Sequence, residues 1–423
     1  MNPSSENPAH ARATNESPLS ESISIVIAGI RNAGKSSLLN TLFEKEVAIV
    51  SPVAGTTTDP VVRKMELPGL GPVAFIDTAG IDDEGELGAM RTQKTKARLA
   101  SSSIVVFASP AHRAPQPQEI RFLEQLKSSK KPYISVLTHA DCGFDAAKLQ
   151  WLSKEQYIAV DNLKGYGAAE VRKALSALKD IVHFEPSPLE GLVQEGDTIL
   201  LVAPVDLAAP KGRLIQPQVE TIRDGLDRDC TVIIVKEREL LETYNRLMEK
   251  PRLVITDSQA FSKVAADIDP DQPLTSFSIL FARKKGELDT FLRGISALNN
   301  FPAGGHVAVM EACSHHRQAD DIATVKIPRL FQQLVQPNAR FSVARSLEVV
   351  KTMPCDLIIH CASCMLNETA VHARIEAIAG LGIPVTNYGL FFAWANGLLP
   401  RALEPFPEYE MVYRPFFRNG HAT

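Results

Sequence analysis

Short apolar runs rich in β-branched residues alternate along the chain with stretches of helical periodicity, and that alternation predicts an α/β fold. Residues 22–28 read as a buried strand. A Gly-rich loop follows, then helical spacing of apolar residues over 36–43. Residues 73–76, 103–108 and 132–137 read as further strands, and 118–128 as a helix between them. This order predicts a doubly wound, mostly parallel sheet over residues 21–184. Glu185-Pro186-Ser187-Pro188 reads as a linker. A second α/β pattern follows, with strands at 198–205, 231–235 and 253–256 and helices at 217–226 and 238–248. Residues 267–273 read as another linker, which divides the remainder into domains at 185–270 and 271–423. The last domain is expected to open with an apolar strand from Ser276. Residues 1–20, rich in Ser, Asn, Pro and Ala, read as a disordered tail. No internal repeat is legible in the sequence.

A chain of 423 residues exceeds one ordinary domain. At 45% hydrophobic and 22% charged, its composition is that of a soluble globular protein. A net charge of -4 gives no broad basic footprint for nucleic acid. No apolar run reaches the roughly 18 residues of a membrane span. Neither nucleic acid nor membrane is therefore expected as a partner. Of six cysteines, Cys313, Cys361 and Cys364 cluster, whereas Cys142, Cys230 and Cys355 are scattered. The pattern favours a thiolate site in a reducing, cytoplasmic compartment over a disulfide framework.

The loop Gly29-Ile30-Arg31-Asn32-Ala33-Gly34-Lys35-Ser36 has the spacing of a phosphate-binding loop. Its glycines let backbone N–H groups turn inward, and the helix that follows aims its positive end at the phosphates. Gly29, Asn32, Ala33, Gly34 and Ser37 would line the phosphates, Lys35 would neutralise the β and γ oxygens, and Ser36 would ligate Mg²⁺. Three further segments follow in order. Gly55-Thr56-Thr57-Thr58-Asp59 is a candidate switch that adds a hydroxyl to the metal shell. Asp77-Thr78-Ala79-Gly80 ends a strand; Asp77 would hold Mg²⁺ through water and Gly80 would face the γ-phosphate. Thr138-His139-Ala140-Asp141 follows another strand, where Asp141 can accept two hydrogen bonds from guanine. The residue after Gly80 is Ile81, which cannot orient water.

Near the C-terminus stand Cys313-Ser314-His315 and His360-Cys361-Ala362-Ser363-Cys364. A Cys-x-x-Cys turn brings two thiolates to one centre, and Cys313 adds a third. Three thiolates suit a 4Fe-4S cluster with an open iron position, and three thiolates plus a histidine suit zinc. Spacing does not choose between them, and buried structural cysteines are a further reading. His315 and His360 are each a fourth ligand, a nearby donor or a packed imidazole.

The phosphate-site set resembles the TrmE-Era-like GTPases. Their Asn-Lys-x-Asp base motif is met here only at Asp141, Thr138 and His139 standing in the first two places, and their later base loop falls near Val160-Asp161-Asn162. The resemblance implies GTP and GDP as ligands. It also implies potassium in place of an arginine finger, held by Asn32, Thr56 and the carbonyls of Ser51 and Val53, with Mg²⁺ on Ser36 and Thr57. The named catalytic set is Lys35, Thr57 and Gly80.

The two sites in one chain resemble the HydF family, GTPase scaffolds of FeFe-hydrogenase maturation. The segments 202–206, 209–215 and 217–218 are similar to its dimerisation domain. Those at 276–283, 311–313, 326–328, 364–367 and 387–389 are similar to its cluster domain. Ala362-Ser363 stands where the family usually has Gly-Gly. The resemblance implies a homodimer with a 4Fe-4S cluster on Cys313, Cys361 and Cys364. Such a protein receives a diiron precursor, made with the radical-SAM maturases HydE and HydG, and delivers it to apo FeFe-hydrogenase. The alternatives are a GTP-binding protein with a structural zinc domain and an RNA-associated GTPase of TrmE or Era type. The latter is disfavoured by the lack of a Lys/Arg-rich stretch.

Overall fold

The structure is a computed structural model, and the residues it describes are 22–43, 62–78, 81, 95–96, 98–129, 131–182, 186–204, 214–311, 321–361, 363, 366–409 and 413. The chain divides into two compact units, Met1–His183 and Phe184–Thr423.

In the first unit, β1 (Ile23–Ala28), β2 (Val62–Leu67), β3 (Gly71–Asp77), β4 (Ile104–Pro110), β5 (Tyr133–Thr138) and β6 (Tyr157–Ala159) form one sheet of order β2-β3-β1-β4-β5-β6. Only β2 runs antiparallel, on β3; the other pairs are parallel. Helices α1 (Lys35–Leu42), α2 (Pro117–Ser128), α3 (Ala146–Trp151) and α4 (Ala168–Ser176) connect the strands. Ile25, Val26, Ile27 and Ala28 of β1 are fully buried, as a central strand covered on both faces requires. Parallel strands put all their carboxyl ends on one edge, and β1 parts to β3 on one side and β4 on the other. The loop after β1 therefore opens at the change of strand direction, where ligands bind in such sheets. The α/β, mostly parallel expectation is borne out.

Among the described residues, the second unit holds two four-stranded, all-parallel sheets. The first joins β7 (Thr198–Val202), β8 (Thr231–Val235), β9 (Leu253–Thr256) and β10 (Leu274–Ser276) in the order β10-β9-β7-β8. Its helices are α5 (Gln216–Asp227), α6 (Leu240–Arg246), α7 (Phe261–Asp267) and α8 (Phe277–Lys284), followed by α9 (Leu288–Ser296). The second sheet joins β11 (His306–Met310), β12 (Arg340–Ala344), β13 (Leu357–His360) and β14 (Val385–Asn387) in the order β12-β11-β13-β14. Its helices are α10 (Ile327–Leu334), α11 (Leu347–Lys351), α12 (Glu368–Ala379), α13 (Tyr388–Ala395) and α14 (Leu399–Leu403).

These two sheets have one topology: the second strand lies outside the first, then the third and fourth on the other side. Their last segments match position by position. Pro273-Leu274-Thr275-Ser276-Phe277 parallels Pro384-Val385-Thr386-Asn387-Tyr388. Ser276 and Asn387 each cap the next helix, accepting from the backbone N–H of Ile279 and Leu390. Gly286 and Gly397 follow the two helices at φ 71° and 69°, the left-handed region that suits glycine. The tandem repeat absent from the sequence reading is thus present in the structure. The match is one of caps, apolar positions and turns, with few identical residues.

The residues from Ser276 also differ from expectation. Phe277–Lys284 is a helix, not a strand, because Ser276 caps it and both its faces meet protein. An all-apolar run has no period to distinguish the two. The run expected as a strand over 198–205 ends at Val202, and Val205 lies outside the described residues.

The repeats exchange their last helices. Helix α9 of the first packs on β14 of the second, where a Cβ on Gly294 would stand 1.9 Å from the Val385 carbonyl oxygen. Helix α14 packs on β10, and Thr275 Oγ1 donates to the Ala402 carbonyl at 3.0 Å. One continuous apolar core spans both sheets, with Phe331 against Phe301 at 4.9 Å and Phe391 at 6.0 Å between ring centroids.

Candidate functional site

In the first unit, the loop from Gly29 to Gly34 leaves β1 and turns into α1. A Cβ on Gly29 would stand 2.1 Å from the Ala108 carbonyl oxygen, so the loop passes over β4 only with glycine there. Asn32 (φ 58°) and Gly34 (φ 74°) hold left-handed conformations that curl the loop. Lys35 folds its amine over the loop, donating to the carbonyls of Gly29 at 3.1 Å and Ile30 at 2.8 Å.

The end of β3 reaches the same point. Ser36 Oγ donates to Asp77 Oδ2 at 2.6 Å, while Asp77 Oδ1 is buried with no hydrogen-bond partner. A buried carboxylate oxygen left unmatched beside a hydroxyl suits a hydrated divalent cation, which takes oxygen ligands. Thr78 Oγ1 donates to the Ile27 carbonyl at 2.8 Å, and Ile81 N–H to the Gly29 carbonyl at 3.2 Å. Ile81 thus lies against the phosphate loop. Ser51, Val53, Thr56, Thr57 and Gly80 lie outside the described residues.

On the base side, Thr138 Oγ1 donates to the Ala33 carbonyl at 2.7 Å and ties the loop after β5 to the phosphate loop. His139 holds φ 57° and lays its ring over Gly34, where a Cβ would meet it at 2.9 Å. Burial and the neighbouring His112 ring, 5.3 Å away, push its pKa down. Asp141 is exposed on the single turn Ala140–Cys142. The loop after β6 completes this side, with Ala140 N–H donating to the Val160 carbonyl and Asn162 Nδ2 to the Gly34 carbonyl at 3.4 Å. Asp161 Oδ1 accepts from the N–H groups of Leu163 and Lys164, which fixes that loop.

Sequence reading missed three features here. Arg113 Nη2 reaches the Asn32 carbonyl at 3.5 Å, and His112 packs on His139. Behind them, Lys148 Nζ contacts Ser109 Oγ at 2.8 Å and Glu119 Oε1 at 3.1 Å, both ion-pair side chains being fully buried. Position at a strand's carboxyl end was the available signal for His112 and Arg113. Nothing in the sequence marks Lys148 and Glu119 as partners.

In the second unit, β11 and β13 are neighbours at the change of strand direction of their sheet. Cys361 directly follows β13, and its N–H donates to the Met310 carbonyl at the end of β11. Its side chain is half-buried. Cys313 comes three positions after β11 in sequence. Cys313, Cys364 and His315 lie outside the described residues, so the trio is not placed together. Among the described residues no three His, Cys, Asp or Glu side chains converge on one point.

His360 is fully buried with both ring nitrogens engaged. Nδ1 lies 2.7 Å from the Cys361 carbonyl, to which it donates, and Nε2 faces Arg374 Nη1 at 3.4 Å. The ring is thus packed and also donates beside Cys361. Ser363 turns the loop at φ 52°. Arg374 is half-buried; burial lowers its pKa, and Cys361 acts in the opposite direction. A strand-end thiol at the switch point, with a guanidinium on the histidine before it, fits an anionic thiolate-bound centre.

Residues 189–286 match the family described as hydrogen maturase F dimerization domain, and residues 289–405 the hydrogen maturase F tetramerization domain. Residues 24–139 match the family described as 50S ribosome-binding GTPase. Among curated proteins, the chain is similar to the tRNA modification GTPase MnmE of Cytophaga hutchinsonii, 33% identical over 38% of this chain and 34% of the relative. It is likewise similar to MnmE of Aquifex aeolicus, 31% identical over 37% and 34%. The chain spans about a third of the length of these relatives. Among solved structures, Aquifex aeolicus Era bound to GDP.AlF4- aligns at 20% identity and TM-score 0.31, covering 50% of this chain and 92% of that one.

Proposed function

The chain belongs to the hydrogen maturase F family, and we propose that it is a GTP-hydrolysing scaffold that carries a 4Fe-4S cluster and a diiron precursor for FeFe-hydrogenase. One observation carries the reading. A phosphate loop with an adjoining Ser36–Asp77 pair and a switch-point cysteine loop occur in one chain, whose second unit matches this family through both repeats.

In the GTPase unit, the loop amides and Lys35 would bind the β and γ phosphates. Lys35 must first give up its two loop carbonyls, which the phosphate oxygens replace. Ser36 and Thr57 would hold Mg²⁺, with Asp77 acting through water. Asn32, Thr56 and the carbonyls of Ser51 and Val53 would hold K⁺. Bound cations neutralise charge that develops on the transferring phosphoryl group. Gly80 would donate its N–H to the γ-phosphate, and Asp141 would accept from guanine. Ile81 offers no group to activate water, so catalysis falls to positioning and charge.

In the second unit, Cys313, Cys361 and Cys364 would hold the cluster, whose open iron position supplies a point of attachment. The diiron unit is cargo, received with HydE and HydG and passed to apo FeFe-hydrogenase in the cytoplasm. Oligomerisation is in keeping with the matched dimerization and tetramerization domains. For the homodimer we favour β8, an edge strand of its sheet, where Ile234 is exposed, as are Val219 and Leu226 of the neighbouring α5. Among the described residues no helix is long and apolar enough to cross a membrane.

Anaerobic iron, sulfide and zinc analysis with EPR of the reduced protein tests the cluster. About four irons per chain, as a 4Fe-4S centre requires, and a signal lost in Cys361→Ser are expected. Stoichiometric zinc without iron would overturn it. Lys35→Ala should abolish GTP hydrolysis and leave iron bound.

A further inference from the structure

Arg374 lies on α12, the helix that follows the cysteine loop. Its guanidinium has an unusual setting. It is half-buried, and its Nη1 rests 3.4 Å from Nε2 of His360, the residue directly before Cys361. No carboxylate among the described residues forms an ion pair with it. A cation withdrawn from water without a counter-charge is costly, and removal of a partner charge is costlier still. An anionic centre on the cysteine loop would balance Arg374 through the His360 contact.

The contacts run in one line. Arg374 holds His360 from behind, and His360 Nδ1 holds the Cys361 carbonyl at 2.7 Å, with Ser363 Oγ 3.1 Å from the same nitrogen. A second cation meets the loop from below. Lys285, 2% exposed, donates to the Leu366 carbonyl at 2.5 Å.

Resting on the cluster reading above, we propose that Arg374 is a positioning residue that sets the cluster's reduction potential. It orients the Cys361 loop through His360 and supplies the positive charge that stabilises the more negative, reduced state. The step is the uptake of one electron by the cluster from an external reductant, dithionite in the test; no bond breaks and no proton moves. Each electron adds one negative charge to a centre already anionic from three thiolates. A nearby cation in a poorly solvated site therefore favours the reduced form more than the oxidised one.

Dye-mediated redox titration of the full-length protein, followed by EPR, compares wild type with Arg374→Gln and Arg374→Lys. Arg374→Gln should lower the equilibrium constant for reduction about tenfold, or about 59 mV for one electron. Arg374→Lys should restore most of it, with both variants folded and loaded with iron. A wild-type potential in a fully loaded Gln variant would overturn the proposal. So would a Lys variant that behaves as Gln does, since shape rather than charge would then govern. If the Gln variant folds but binds no iron, recovery of iron by Lys supports the charge role, and no recovery in a folded Lys variant refutes it. Wild-type protein without iron would instead remove the cluster reading itself.

Discussion

At the scale of the residue, the first unit concentrates its chemistry in few contacts. Ser36 and Asp77 already touch, so the proposed Mg²⁺ site, with Asp77 acting through water, would need little rearrangement of these two side chains. Ser36→Ala should cut GTP turnover by about 10²-fold or more, the scale of losing one preorganised charge-stabilising group; steady-state phosphate release against Mg²⁺ concentration measures it. Thr138→Val removes the buried hydroxyl that reaches the Ala33 carbonyl. A lost bond of about 1 kcal/mol should weaken GDP binding roughly fivefold, read by calorimetry. Lys148 and Glu119 form a fully buried pair. Lys148→Met alone leaves a buried carboxylate and should cost about 3–5 kcal/mol, whereas Lys148→Met with Glu119→Leu should recover much of it. Equal melting temperatures for the two variants would refute that account. The phosphate loop was legible in sequence because its backbone geometry demands glycine and lysine at fixed spacing. The Lys148–Glu119 pair was not, because 29 residues and a strand separate its members.

At the scale of the element, α12 joins the cysteine loop to the rest of its unit. His372 on this helix bridges Glu287, before α9, and Glu376. Its hydrogen bond to Glu287 raises its pKa, while burial raises that of Glu287. A histidine whose folded pKa is raised stabilises fully below its unfolded value of about 6.5 and loses this as pH rises through the folded value. The window closes at the acid end where Glu287 protonates. The melting temperature of His372→Gln should therefore fall below wild type most at about pH 6 and least above pH 8. A constant gap across that range would argue against the ion pair. The strand at β9 was legible from its β-branched run, and its observed limits agree with the expected 253–256. Helix α8 was not, since an apolar run buried on every side carries no helical period.

At the scale of the molecule, the second unit is two repeats closed by exchanged helices over one core. Gly294→Ala forces a Cβ to 1.9 Å from the Val385 carbonyl. It should destabilise this unit by about 1–3 kcal/mol or more, seen as a lower denaturant midpoint. Cutting the chain near residue 303, between α9 and β11, parts each sheet from the exchanged helix that covers it and should leave neither repeat cooperatively folded, whereas a cut near residue 184 should leave two fragments that each melt cooperatively by circular dichroism. Sequence alone determined the phosphate loop, the strand-end carboxylates and the Cys-His spacing. Each is local, because chemistry fixes residue type at short range. Only tertiary structure decided that 186–409 contains a repeat, that His360 packs on Arg374, and that Cys361 stands at a switch point. Those facts depend on strand order and on contacts between residues far apart in the chain. Periodicity reports which face of an element is buried, but not which partner buries it.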